Sequence, residues 1–255
     1  KAQAKLIDFD NIESIFNKKP FLFLRPSFWK IVFASQGFYD AINKFLSEKS
    51  KISSQDESSS SQQMWDKLIQ SKEMQDRLNI WLSNEQKLKS TYLVKVYEED
   101  NHKNLVFLDT QKQTEVTPRD MGLGISQMLP ILISTMGSQS TKIYLEQPEL
   151  HLHPAVQMEL MDEFIRSHNE NNNEFMMESH SEHMLLRVMK RLRQTADGTL
   201  EDESLRLTPD DVCLLYVDND GEQTYIQELR LSEKGRLKDR WPNGFFEEGF
   251  KERFS

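Results

Sequence analysis

Three polar clusters, each next to a short apolar segment, constrain the fold of this chain more than any other feature. Residues 122–127 precede an apolar helix-like segment, the apolar run 143–145 leads into residues 146–149, and the run 175–177 leads into a third polar cluster. Short apolar runs that end in polar residues are typical of buried parallel strands, whose carboxyl ends carry the functional groups of nucleotide-binding sheets. The order of the clusters therefore predicts an α/β sheet flanked by helices, with a nucleotide site at the carboxyl ends of its strands.

The first cluster combines two glycines with the start of a helix. Gly122 and Gly124 allow the backbone to approach a ligand closely, and Ser126 is predicted to cap the apolar helix that follows. A helix start presents unpaired amide groups and a partial positive charge, and no carboxylate in this cluster cancels that charge. These features suit a phosphate group, although a glycine turn before a core helix explains the same residues.

The second cluster places a carboxylate at the end of a predicted buried strand. Glu146 follows the run 143–145, at the position where nucleotide-binding sheets hold Mg²⁺ or orient water. The alternative is an ordinary turn between strand and helix, in which Glu146 faces solvent. His151 and His153 have an alternating spacing that metal ligands also show, but no third ligand is evident and Pro154 is expected to begin a helix. A metal site at these histidines is therefore not favoured.

The third cluster repeats the arrangement of the second. The apolar run 175–177 ends at Glu178, Ser179 and His180, and a histidine at this point can donate a hydrogen bond to a terminal phosphate. For an isolated histidine, packing at a helix start is the simpler interpretation. Because three such clusters follow one another in the sequence, a nucleotide site is favoured over simple packing of the histidine.

The charge of the chain argues against a broadly basic surface. The net charge is -9 and the pI is about 5.3, whereas nucleic-acid-binding domains are usually basic. Arg187, Lys190, Arg191 and Arg193 crowd one predicted helix. They form either a local binding patch or, as is more usual for such a run, a solvated helix face.

The order of these motifs resembles the C-terminal half of ABC-type ATPases, including SMC-like, DNA-repair and OLD-like members. Residues 122–132, 145–154 and 179–183 are similar to those of a bacterial branch of AAA-annotated ATPases, OLD-like and Septu-like, several of which act in anti-phage defence. The segment 240–247 resembles the tail of the same branch. The resemblance extends from about residue 92 to about residue 248.

The resemblance implies an ATP site, completed by Mg²⁺, that is sandwiched between two copies of the chain. The signature that contacts the γ-phosphate of ATP on a second subunit would be formed by Gly122, Gly124, Ser126 and Gln127. Glu146 would be the Walker B acid near Mg²⁺, His180 the switch histidine, and residues 150–153 the D-loop at the dimer interface.

Two departures from the family pattern affect the expected activity. The residue after the Walker B acid, normally a glutamate that activates water, is Gln147, and an amide cannot act as a base. Glu149 is the candidate substitute, and otherwise hydrolysis is slow or absent. The chain also contains no Gly-x-x-x-x-Gly-Lys-Ser/Thr, the loop that cradles phosphates. It is therefore expected to be the C-terminal part of a longer protein, or to work with a lobe outside this sequence.

The remaining segments predict one sizeable core with appended elements. Residues 1–90 are predicted to be an irregular and helical insertion with a flexible Ser-rich loop at 47–63, residues 91–195 the ATPase core, and residues 196–255 a C-terminal hairpin extension. With a single cysteine, Cys213, and no apolar run of membrane-spanning length, we expect a soluble, cytoplasmic protein without a secretion signal.

Periodicity predicts the secondary structure outside the three clusters. The helical candidates are 38–46 and a longer amphipathic helix across 64–82. Two hairpins are predicted: one joins strands 92–96 and 105–108 through a turn at 98–104, and the other joins strands 212–217 and 223–231 around residues 218–221. Asp218 and Asp220 could be compared with paired nuclease aspartates, but the adjoining Asp-Gly favours a turn.

The sequence as a whole predicts an ABC-type ATPase that dimerises around ATP and controls an effector, such as a nuclease, in phage defence. One alternative is a scaffold that does not hydrolyse ATP and that Gln147 keeps closed. Another is a DNA-repair or SMC-like clamp with nucleic acid as partner. The negative net charge of the chain argues against this alternative.

Overall fold

The computed structural model describes residues 65–85, 87–99, 102–219 and 224–240, together with the backbone of strand β1, Phe21–Pro26. The predicted helix at 38–46, the predicted loop at 47–63 and residues 241–247 of the predicted family tail lie outside the described residues.

A five-stranded sheet forms the centre of the described structure. Its strands run in the order β5-β6-β1-β7-β8, of which β5, β6, β1 and β7 are parallel and β8 is antiparallel to β7. The bounds are Lys142–Glu146 for β5, Glu174–Glu178 for β6, Val212–Asn219 for β7 and Thr224–Leu229 for β8. The predicted α/β sheet is therefore present, and its parallel part holds the second and third polar clusters.

The inner strands carry the apolar runs that the sequence assigns to a buried sheet. Phe175, Met176 and Met177 of β6 are each at most 4% exposed, and the residues of β7 from Val212 to Val217 are at most 5% exposed. A strand that is covered on both faces has no polar face, which explains why these segments are continuously apolar rather than alternating.

In the described part of the chain, four longer helices accompany the sheets: α1 Lys72–Ser83, α2 Leu123–Gly137, α3 Pro154–Asn171 and α4 Glu182–Asp197. Helix α3 connects β5 to its parallel neighbour β6, and α4 follows β6. Helix α3 packs against both α2 and α4. The helices thus fix the loops at the carboxyl ends of β5 and β6.

The predicted helix across 64–82 is interrupted, which corrects the sequence interpretation. Residues 65–70 are helical, and a new helix begins after Ser71, whose Oγ accepts a hydrogen bond from the backbone N–H of Met74 at 3.2 Å. The predicted apolar face is confirmed, since Leu78 and Trp81 are at most 1% exposed. Serine is a favoured N-cap, so the break follows from local chemistry that periodicity does not reveal.

A buried carboxylate ties α1 to α3. Glu163 of α3 is 2% exposed and accepts hydrogen bonds from Arg77 at 2.6 Å, from Trp81 Nε1 at 3.1 Å and from Arg166 at 3.1 Å. An ionised carboxylate remains buried at acceptable cost only when such partners surround it. This contact joins helix α1 to helix α3.

Both predicted hairpins are confirmed, with longer strands in the first. Strands β2 Tyr92–Glu99 and β3 His102–Asp109 pair along their whole length, and β4 Thr114–Val116 completes a separate three-stranded antiparallel sheet. The predicted turn 98–104 is therefore too long at both ends. In the second hairpin β7 pairs with β8, while Leu231, predicted to lie in the strand, forms only an isolated bridge with Leu237.

The sheet draws strands from all three predicted segments. Strand β1, from the segment predicted to be an insertion, lies between β6 and β7, and the hairpin β7–β8, predicted to be an extension, belongs to the same sheet as β5. The boundaries of the three segments stay predictions, but these strands are parts of the core rather than appendages.

Candidate functional site

The second and third polar clusters meet at the carboxyl ends of two neighbouring strands. Glu146 ends β5 and Glu178 ends β6, and the two residues are directly paired in the parallel register. Glu146 is exposed, whereas Glu178 is 5% exposed. The site therefore has one carboxylate open to solvent and one beneath the surface.

Gln147 links the two strand ends. Its backbone N–H donates to the carbonyl oxygen of Glu178 at 2.8 Å, and its side chain makes a hydrogen bond to the Glu178 carboxylate. The backbone of Gln147 has φ 43°, in the left-handed region that non-glycine residues seldom occupy. The turn directs this amide towards Glu178.

Glu178 is a candidate site residue that sequence analysis did not single out. Burial raises the pKa of its carboxyl group, as do the negative charges of Glu146 and Glu149, while the hydrogen bond from Gln147 opposes the rise. Its Oε1 lies 4.0 Å from His180 Nε2, and within the described part of the chain its buried Oε2 has no hydrogen-bond partner. The signal was present, because Glu178 ends an apolar strand as Glu146 does.

Glu149 holds the loop that carries His180. The side chain of Glu149 is buried, and its Oε1 accepts a hydrogen bond from the backbone N–H of His180 at 2.6 Å. Its buried Oε2 finds no hydrogen-bond partner among residues 65–85, 87–99, 102–219 and 224–240. Glu149 was predicted as a substitute base; that role stays a prediction, while the structure gives it a contact with the loop that carries His180.

A second bridge reinforces the same connection. Gln157 of α3 donates to the carbonyl oxygens of Leu152 at 2.9 Å and of Glu149 at 3.4 Å, and its Oε1 accepts a hydrogen bond from Ser181 Oγ at 2.5 Å. Ser181 also caps α4, since its Oγ accepts from the N–H of Met184 at 3.0 Å. The turn after β5 and the loop after β6 are thus held together by side chains from both.

The glycine cluster meets the predicted D-loop. Gly122 precedes α2 with φ 88°, a conformation that favours glycine. Gly124 lies in the first turn of α2 so close to the next segment that a Cβ atom there would be 2.7 Å from the carbonyl oxygen of His151. His151 itself has φ 60°. The missing side chain at Gly124 therefore permits contact between the predicted signature and the predicted D-loop.

The predicted cap of α2 is wrong in detail. Helix α2 begins at Leu123 with Gly122 as its N-cap, so Ser126 lies inside the helix rather than before it. The Ser126 hydroxyl donates to the carbonyl oxygen of Leu123 at 2.9 Å and makes no capping bond. Gln127 is exposed in the same part of the helix. The glycine, not the serine, determines where the helix starts.

The candidate metal ligands remain dispersed. His153 acts as the N-cap of α3, where its Nδ1 accepts a hydrogen bond from the N–H of Ala155 at 3.2 Å. Across the described residues, no group of three or more His, Cys, Asp or Glu side chains is arranged to hold a metal ion. Glu146 could bind Mg²⁺ as a single protein carboxylate, with waters and phosphate oxygens as the other ligands. This is the usual ligand set of Mg²⁺ in nucleotide sites.

The basic run on α4 is partly used in packing. Arg187 binds Asp162 and Glu159, each at 2.9 Å, and Arg191 also binds Asp162 of α3. Lys190 and Arg193 are exposed. The run therefore does not form a four-residue surface patch, because two of its members join α4 to α3.

Comparison with known proteins identifies the class. Residues 33–185, more than half of the chain, match the family described as AAA ATPase domain, and the chain belongs to this family of ATPases. Residues 207–254 match a second family, described as a protein of unknown function (DUF3696). No curated protein matches the chain. The predicted ATPase class and α/β fold are therefore confirmed.

A solved structure with a similar chain is the SMC head bound to the C-winged helix domain of ScpA. The two chains share 10% sequence identity with a TM-score of 0.43, over 63% of this chain and 43% of the other. This chain therefore spans less than half the length of that one. In the described part of this chain, no helix is both long and apolar enough to cross a membrane.

Proposed function

We propose that this chain provides one face of an ABC-type ATP site and that a second copy closes over the nucleotide. The observation that carries the proposal is the junction of three motifs: Gly124 touches His151, and the turn containing His151 is bound to the His180 loop through Glu149 and Gln157. Closure of a second copy over the nucleotide requires that the signature, the D-loop and the switch histidine move as one unit.

The surface beside this junction supports closure by a protein partner. Leu123 and Leu150, which flank the Gly124–His151 contact, are 57% and 48% exposed. Burying one leucine side chain stabilises an association by about 1.5–3 kcal/mol. In a symmetric dimer each copy would contribute both leucines, so their burial would favour the closed state substantially.

The residues present fit a nucleotide with Mg²⁺ on this face. The first turn of α2 is a helix start, whose backbone amides have no partner within the helix, and it holds no acidic residue, which suits a phosphate. Bound ATP would supply the phosphoanhydride bond and Mg²⁺ would neutralise phosphate charge. Glu146 would bind the ion, and His180 would donate a hydrogen bond to a phosphate oxygen. Gln147 orients rather than deprotonates, because its amide cannot accept a proton at neutral pH.

The test is ATP-dependent dimerisation of the complete protein, including whichever lobe or subunit supplies the phosphate loop. Leu150→Lys removes apolar area and introduces two like charges at the proposed interface. We expect the ATP-dependent dimer to weaken by at least about 100-fold, since about 1.4 kcal/mol corresponds to a factor of ten. Sedimentation velocity with ATP and with ADP measures this change.

Leu186→Lys is the matched control, because Leu186 is also an exposed leucine, 43% exposed, but lies on α4. This variant is expected to dimerise normally. Equal dimerisation of the two variants, or an unmodified protein that stays monomeric with ATP, contradicts the proposal.

The finer part of the proposal rests on the sequence resemblance. The closed dimer would control a separate effector, such as a nuclease, in anti-phage defence. Phage plating on bacteria that carry the complete system is expected to show protection with Leu186→Lys and none with Leu150→Lys. Equal protection by both variants contradicts a defence role for the dimer.

A further inference from the structure

We propose that Glu178 is a positioning residue of the ATP site, which holds the Gln147 amide and the His180 ring in their working orientations. This inference rests on the proposed function, since it assigns a further residue to the same site. Glu178 ends the strand next to that of Glu146, directly before the loop that carries His180, and its side chain is buried.

Contacts on both sides of the carboxylate support this role. The Gln147 side chain makes a hydrogen bond to it, and His180 Nε2 lies 4.0 Å from its Oε1. Gln147 and His180 belong to different loops, which follow β5 and β6. Glu178 lies within reach of both predicted site residues, so it can fix the distance between them.

The burial of Glu178 is unusual for a residue with a purely structural role. It is 5% exposed, yet its Oε2 has no hydrogen-bond partner in the described structure. An unsatisfied buried carboxylate oxygen costs stability, and a fold selected for stability alone would fill this position with an apolar side chain. Such costs are typical of functional sites.

The inference predicts a separation of activity from stability. Glu178→Leu removes both contacts and fills the position with a buried apolar side chain of similar length, whereas Glu178→Gln keeps an acceptor oxygen for Gln147 and loses the charge that faces His180. In the complete protein, we expect kcat for ATP to fall about 10-fold or more in Glu178→Leu and less in Glu178→Gln, with KM within about 2-fold of the original. The melting temperature of both variants is expected to be unchanged or higher.

Glu174→Leu is the control, because Glu174 lies at the opposite end of the same strand. It is expected to leave kcat and KM unchanged. If the protein binds ATP without hydrolysing it, Glu178→Leu and Glu174→Leu are compared in ATP-dependent dimerisation instead of kcat. If Glu178→Leu matches Glu174→Leu in kcat and in dimerisation while the unmodified protein is active, Glu178 has no positioning role and the proposed function still stands.

A measurement without nucleotide distinguishes failure of the proposed function from failure of the role assigned to Glu178. Nuclear Overhauser contacts from the His180 ring protons are expected to report one ring orientation in the unmodified protein and averaged orientations in Glu178→Leu. An unmodified protein that neither dimerises with ATP nor hydrolyses it refutes the proposed function. An unchanged His180 ring in Glu178→Leu refutes the role of Glu178.

Discussion

The contact between Gly124 and His151 makes a sharp prediction about the junction of the signature and the D-loop. In Gly124→Ala the new methyl group would lie 2.7 Å from the His151 carbonyl oxygen, and this distance must increase by about 0.7 Å to reach the ordinary contact distance of 3.4 Å. The oxygen belongs to the backbone of a turn in which His151 already has φ 60°. Neither partner is the flexible end of a side chain, so the helix or the turn must move.

The magnitude follows from two opposed effects. Overpacking at a site that cannot relax typically costs about 1–3 kcal/mol. Alanine is a better helix former than glycine by up to about 1 kcal/mol, and less than that in a first turn. We therefore expect Gly124→Ala to lower the free energy of unfolding by about 1–2 kcal/mol, which lowers Tm by roughly 2–8 °C in a domain of this size. ATP-dependent dimerisation should weaken as well, because the junction itself is displaced.

Gly137→Ala provides the control at the other end of the same helix. There the added Cβ would meet the terminal methyl of Met74 at 3.0 Å, and a methionine side chain can move aside. This variant should keep its Tm and its dimerisation within error or gain slightly. Thermal and urea unfolding measure both variants. A Tm for Gly124→Ala equal to or above that of Gly137→Ala would refute the close-packing argument.

Three further outcomes follow from the buried charges. Glu163→Gln should lower the free energy of unfolding by about 2–4 kcal/mol in urea titration, because it leaves Arg77 without its ionic partner; an unchanged midpoint would contradict this. Asp162→Asn should cost about 2–3 kcal/mol by separating Arg191 from its carboxylate, and a loss below about 0.5 kcal/mol would show that the pair is dispensable. The raised pKa of Glu178 means that the stability it contributes is fully present below its ordinary pKa of 4.5 and is lost as pH rises through the raised value. Glu178→Gln should therefore gain stability relative to the unmodified protein as pH increases, and a gap in Tm that stays constant with pH would contradict the shift.

The elements that could be predicted are those whose signal is local. The apolar runs of β6 and β7 each span a buried strand, and the hairpins follow from alternation around polar turns. The run 143–145 does form strand β5, but its side chains are only half-buried, because β5 lies at the end of the strand order. The positions of Glu146 and His180 at strand ends could be predicted for the same reason. Parallel strands align their carboxyl ends, so clusters that follow such strands in sequence lie together in space.

The features that could not be predicted depend on partners far away in the chain. Nothing near Gly124 indicates that His151 will contact it, so the sequence suggested either a ligand or an ordinary glycine turn before a core helix. The location of β1 in the middle of the sheet is set by pairing with β6 and β7. Long-range pairing leaves no periodic signal in the segment itself.

The departure of Gln147 from the family pattern acquires a physical reason from Glu178. A glutamate at 147 would place another carboxylate against Glu178, whose pKa is already raised by burial and by the charges of Glu146 and Glu149. The amide instead makes a hydrogen bond to Glu178, so the two residues form one complementary pair. Gln147→Glu alone should therefore not raise ATP turnover, whereas the exchange Gln147→Glu with Glu178→Gln restores the complementarity and should raise kcat above that of either single variant. Additive effects of the two substitutions in this double-mutant cycle would show that Gln147 and Glu178 act independently.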